Sequence, residues 1–209
     1  MQRTGVFSAL AVVCGVASIL LAGAESVRAH DDDNIRVRWD IPSLVPPNVF
    51  PGGVASARAA DGSRITLTGS GTFEIEEAEG HHHRGQRGEE VTGGGAWETR
   101  NATGTVISTG TYEVTGFVSF VQTPPGTVGF VDQIGNPAEA SGGLIFLHIA
   151  YSDGETGVLA VSCAFGATDK VAEGVSASKG FVDYFNIQPP VAGVNANRTL
   201  FHVSREHEN

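Results

Sequence analysis

Gly71-Thr72-Phe73-Glu74-Ile75, Gly95-Ala96-Trp97-Glu98-Thr99 and Gly110-Thr111-Tyr112-Glu113-Val114 are three copies of one phrase: glycine, small residue, aromatic, glutamate, β-branched residue. In an extended strand, successive side chains point to opposite faces. The ring and the β-branched residue therefore share one face, and the glutamate takes the other. Copies this close together predict neighbouring antiparallel strands of one sheet, with Phe73, Trp97 and Tyr112 on an interior wall and the carboxylates in water.

The strands around this phrase extend the same reading. Arg64 to Glu76 alternate over thirteen residues, with Ile65, Leu67, Phe73 and Ile75 on one face. Strands typically run about 5–6 residues, so a bend or bulge is expected at Gly69 and Gly71. Ile35, Val37 and Trp39 alternate with Arg36, Arg38 and Asp40 in a first strand that Pro42 ends, and 42–62 reads as Pro- and Gly-rich loop. Gly143 to Phe165 reads as a hairpin turning at Ser152-Asp153-Gly154-Glu155. Its first strand, Leu144 to Tyr151, is apolar on both faces, which predicts a central strand covered on both sides. Residues 173–185 and 199–203 add later strands. No stretch after residue 29 has the period of a helix. The expected fold is all-β: a single antiparallel β-barrel or β-sandwich of about 8–10 strands.

Residues 1–29 have the form of a secretory signal peptide. Arg3 precedes an apolar run, and small residues offer cleavage after Ala24 or Ala29. The expected domain is then 30–209, in a secreted or periplasmic compartment, with no membrane span after cleavage. Removal of 1–29 takes away Arg3, Arg28 and Glu25, leaving 11 basic and 22 acidic residues and a net charge of −11. That balance excludes a phosphate-backbone reader, which needs clustered Lys and Arg. Of the two cysteines, Cys14 and Cys163, only Cys163 remains, so no intramolecular disulfide can form. Its setting in Val158-Leu159-Ala160-Val161-Ser162-Cys163 predicts a buried, inert thiol.

Candidate sites are few. Residues 77–90 form a charged, His-rich stretch without large apolar side chains, expected to be a flexible loop. His81, His82 and His83 within it are zinc or copper ligand types, but neighbours in a loop are not preorganised and read first as solvated. His30 becomes the amino terminus if cleavage follows Ala29. Its amine and ring would then chelate copper, with His148 or His202 as a further ligand; the arrangement resembles the copper sites of polysaccharide monooxygenases and some periplasmic copper carriers. His148, between Leu147 and Ile149, reads as a core histidine bonded to backbone. Asn101-Ala102-Thr103 and Asn197-Arg198-Thr199 match the glycosylation pattern. No Gly-x-Ser-x-Gly or other nucleophile-and-base arrangement occurs.

The functional expectation is a non-enzymatic β-domain, without cofactor, that binds a small apolar ligand or an extracellular surface partner. The ligand wall would be drawn from Phe73, Trp97, Tyr112, Phe146 and His148. The alternatives are an enzyme or copper protein built on His30, and a structural extracellular component.

Overall fold

Phe73, Trp97 and Tyr112 are buried, at 0%, 2% and 2% exposure, on consecutive hydrogen-bonded strands of a computed structural model describing residues 34–76, 88–123, 129–166, 171–190 and 196–206. Glu74 and Glu98 are half-buried on the other face and Glu113 is exposed. The register adds a relationship between copies. Tyr112 lies opposite Gly95, and Trp97 opposite Gly110. Trp39 lies opposite Gly71 in the same manner. A Cβ on Gly71 or Gly110 would sit 2.6 or 2.9 Å from the facing indole nitrogen, whereas one on Gly95 would sit 2.0 Å from Thr68 O, so the first and third copies need glycine for a ring and the second for a close backbone.

The described residues form sixteen strands: β1 (Asn34–Asp40), β2 (Ser43–Val45), β3 (Asn48–Phe50), β4 (Ala55–Arg58), β5 (Arg64–Leu67), β6 (Ser70–Glu76), β7 (Gly88–Arg100) and β8 (Val106–Gln122), followed by β9 (Val131–Asp132), β10 (Ala140–Ser141), β11 (Gly143–Tyr151), β12 (Thr156–Cys163), β13 (Gly174–Lys179), β14 (Val182–Tyr184), β15 (Asn186–Ile187) and β16 (Leu200–Glu206). One 3-10 turn, Pro137–Glu139, is the only helical element among them. The longest path through the main sheet has ten strands, β10-β16-β1-β6-β7-β8-β11-β12-β13-β14, and its strand pairs are antiparallel. The sheet is not closed by a continuous ring of hydrogen bonds. β10 nevertheless runs into β11 through Gly142 alone, so the edge strand beside β16 and the central strand beside β8 are one stretch of chain.

The long strand expected over 64–76 breaks at the expected place. Gly69 has φ +148°, a conformation that side chains rarely adopt. Before it, β5 pairs with the second half of β7 through Leu67 and Trp97; after it, β6 pairs with the first half through Ser70 and Gly94. The sheet therefore splits into two wings at this residue, one carrying β1 and β16 and the other carrying β4 and β15. Tyr112 fastens the break, its hydroxyl donating to Thr68 O at 2.8 Å.

Inward rows fill the interior. Phe73 packs on Phe117 and Phe120 with ring centroids 5.0 and 5.4 Å apart, and Phe120 packs on Phe201 at 5.3 Å. Trp97 meets the edge of Tyr151 at 5.6 Å, and the Lys179 ammonium sits 4.4 Å above the Trp97 ring. Lys179 also bonds Asp153 and Glu155 in the β11–β12 turn, so one side chain ties that hairpin to the end of β13.

Four expectations are corrected. Residues 42–62 are not loop alone: β2, β3 and β4 lie there, short enough for the prolines between them to mask their alternation. β2, β3 and β9 form a separate small sheet, and Val49 from it shares a satellite core with Ala140 and Leu200. The β11–β12 hairpin is present, but β11 is covered on one face only. Ile145, Leu147, Ile149 and Tyr151 are buried, whereas Leu144 and Phe146 on the opposite face are half-buried. His148 shares that outer face and is exposed, so it is not a core histidine. The alternation of the strand decides its place, and apolar neighbours in sequence do not. Of the stretch 77–90 expected to be loop, Gly88, Glu89 and Glu90 open β7; residues 77–87, like 1–33, lie outside the described residues.

Candidate functional site

Where the small sheet meets the large one, the chain leaves a cleft of about 320 Å³, at the lower end of the range for small-molecule pockets. Leu44 and Val49 come from the small sheet, Phe130 from the segment leading into β9, Phe165 from the end of the β12 strand path, and Leu200 from the start of β16. Phe130 and Phe165 meet at a tilt of 57° with centroids 5.9 Å apart. Glu173, Arg198 and Thr199 supply the polar atoms, and the Cys163 thiol completes the wall.

Glu173, just ahead of β13, organises this wall. Its Oε2 accepts the Ala164 N–H at 2.8 Å and its Oε1 accepts the Thr199 N–H at 2.8 Å. Thr199 Oγ1 donates to Ser162 O at 2.6 Å and lies 3.2 Å from the same Oε1. One carboxylate thus joins the ends of β12, β13 and β16, the strands that frame the cleft. Burial pushes the Glu173 pKa above its ordinary value, against the opposing pull of the backbone N–H groups, Thr199 and Arg198. Burial likewise raises the Cys163 thiol, with the Glu173 charge adding to it. The thiol therefore stays protonated and acts as soft apolar surface, as its sequence setting predicted.

Arg198 brings the opposite charge. Its Nε is buried without a hydrogen-bond partner, and no hydrogen bond joins its guanidinium to another described residue. The cleft therefore combines an apolar wall, a carboxylate bonded to its own backbone, and a guanidinium that is not.

The sequence-predicted residues do not assemble here. Phe73, Trp97 and Tyr112 lie in the filled core and none lines the cleft. Phe146 faces outward between Ser119 and Ala160, and His148 between Gly116 and Val158. His30, His81, His82 and His83 lie outside the described residues. Among the described residues, no three His, Cys, Asp or Glu side chains gather as a metal site. Asn197 is buried and committed to structure: its Oδ1 accepts the Ser56 N–H at 2.7 Å and its Nδ2 donates to Pro189 O at 3.0 Å. Asn101 closes a turn through Thr103 and Thr105.

A second buried polar group lies apart from the cleft. His202 Nε2 and Asp132 Oδ2 are 2.7 Å apart with both side chains buried. The other Asp132 oxygen accepts the Ile134 and Gly135 N–H groups. Gly135 lies against the imidazole so closely that an added Cβ would sit 2.7 Å from His202 Cδ2. That arrangement pins the segment after β9 onto the outer face of β16 and leaves no approach for a substrate.

Sequence reasoning missed Glu173 and Arg198 as cleft residues. Each sits in a polar connection next to a strand end, and only the tertiary fold brings them together. Comparison with protein-family models, curated proteins and solved structures gives no match.

Proposed function

We propose that this chain is a secreted or periplasmic, non-enzymatic β-domain that holds one small apolar molecule in the cleft between its two sheets. The observation that carries this reading is the cleft itself: about 320 Å³ walled by Leu44, Val49, Phe130, Phe165 and Leu200, with few polar groups. This is the composition of a ligand pocket. The leader-like residues 1–29 support the compartment. The ligand wall expected on Phe73, Trp97 and Tyr112 moves to the cleft, because those rings pack against Phe117, Phe120 and Tyr151 in a filled core.

The test is to purify the protein from its secreting host under gentle conditions, extract it with organic solvent and identify small molecules by mass spectrometry. The same is done with Leu44→Trp, which places an indole in the cleft from a half-buried position. A stoichiometric apolar compound that is lost in L44W supports the reading. An extract with no such compound, together with no binding of added apolar probes, overturns it.

A surface partner is the second reading, favoured by the outer face of β8, β11 and β12. Val118, Val121 and Val158 are exposed there beside half-buried Leu144 and Phe146. Val121→Glu would abolish such an association and leave cleft binding unchanged. The copper alternative at His30 depends on cleavage after Ala29, which amino-terminal sequencing of the mature protein reads directly.

A further inference from the structure

The cleft has a polar asymmetry that its apolar wall does not explain. Glu173 already accepts two backbone N–H groups, at 2.8 Å each. Among the described residues no hydrogen bond to the Arg198 guanidinium is made, and its Nε is buried without an acceptor. Guanidinium is the side chain best shaped for a carboxylate, because its planar fork takes both oxygens at once.

We propose, resting on the binding function assigned above, that the ligand is an amphipathic carboxylic acid whose head group pairs with Arg198 and whose apolar body lies along Leu44, Val49, Phe130 and Leu200. Glu173 sets the position of the charge: it holds the strand ends that carry Arg198 and Thr199 and offsets the guanidinium charge when the cleft is unliganded. The volume limits the body. About 320 Å³ corresponds to roughly eleven non-hydrogen atoms at about 30 Å³ per water-sized unit. A medium-chain acid fills this volume.

The experiment is calorimetric titration of the mature chain with decanoate, methyl decanoate and 1-decanol, each repeated on Arg198→Gln and Leu44→Trp. The expected result is that decanoate binds wild type most tightly. In R198Q the decanoate Kd should rise by about tenfold or more, with the alcohol changing by less than about twofold. L44W should weaken all three probes alike. If all three bind wild type and R198Q leaves their ranking intact, the head-group assignment is overturned and the cleft-binding function stands. If none of the three binds wild type, the head-group assignment falls, and the cleft-binding function falls with it when the solvent extract also holds no apolar compound. Thermal melting of each variant confirms that it is folded; should R198Q fail to fold, Arg198→Lys replaces it, expected to retain decanoate binding at a several-fold higher Kd.

Discussion

Gly110 lies directly across the β7–β8 ladder from Trp97, so closely that a Cβ on Gly110 would sit 2.9 Å from the indole Nε1 and 2.4 Å from Ser152 Oγ. The indole uses that space to donate to Thr111 O at 3.0 Å. Gly110→Ala should therefore destabilise the protein by about 1–3 kcal/mol through overpacking at the ring. Gly129→Ala is the control. Nothing lies within 4 Å of a Cβ added there, and its effect should stay within about 0.5 kcal/mol. Urea unfolding midpoints at constant m-value distinguish the two; equal effects would mean that the facing indole does not require glycine at position 110.

Glu173 should give the protein a pH dependence opposite to that of an ordinary surface carboxylate. Its folded-state pKa is raised above 4.5 by burial. Its favourable contribution is therefore complete below the unfolded value and is lost as pH rises through the folded one. The stability of Glu173→Gln relative to wild type should then climb with pH from about 4.5 upward and level off once Glu173 is ionised in the folded state. Asp153 runs the other way: the Lys179 hydrogen bond lowers its pKa, so its contribution is present above the usual carboxylate range and is lost in acid. Chemical denaturation across pH, read as the difference between variant and wild type, isolates the Glu173 contribution. A flat difference would show that Glu173 titrates normally.

The parts of the fold that could be read from the sequence are those where one face is dry and the other wet. The alternation at Ile65, Leu67, Phe73 and Ile75 located the central strands and their facing. Gly69 and Gly71 located the bend. The strand over 144–151 misled because both rows are apolar, and composition cannot say which row meets solvent. His148 went with it to the wrong environment. β2 and β3 stayed hidden because three-residue strands carry too little period to stand out between prolines. The cleft was illegible for a different reason. Glu173 and Arg198 are 25 residues apart in sequence, and their proximity depends on a carboxylate bonding to the backbone of two other strand ends. Nothing local encodes that.

Cys163 should be silent toward thiol reagents in the native state. It is buried, at 1% exposure, and burial raises its pKa, so the thiolate that reacts is scarce. In the chain lacking residues 1–29 it is the sole cysteine. Native protein at neutral pH should react with Ellman's reagent at less than about a hundredth of the rate of the urea-unfolded chain. Cleft occupancy should slow the native reaction further, since Cys163 forms part of the wall. Rapid native labelling would place the thiol on an open path to solvent and redraw the floor of the cleft.

The Asp132–His202 pair should account for much of the attachment of the small sheet. Asp132→Ala removes the acceptor of three donors at once: His202 and the Ile134 and Gly135 amides. A buried donor left without its acceptor costs about 1–3 kcal/mol, so the loss should be at least of that order. Asp132→Asn retains an oxygen for the two amides and should cost roughly half as much. Global unfolding gives the magnitude, and hydrogen exchange gives the place. The Ile134 and Gly135 amides should lose protection in D132A by more than the amides of Trp97 and Leu147 in the main sheet do. Uniform loss across both sheets would mean that the dyad supports the whole fold and not the clip that holds β9 against β16.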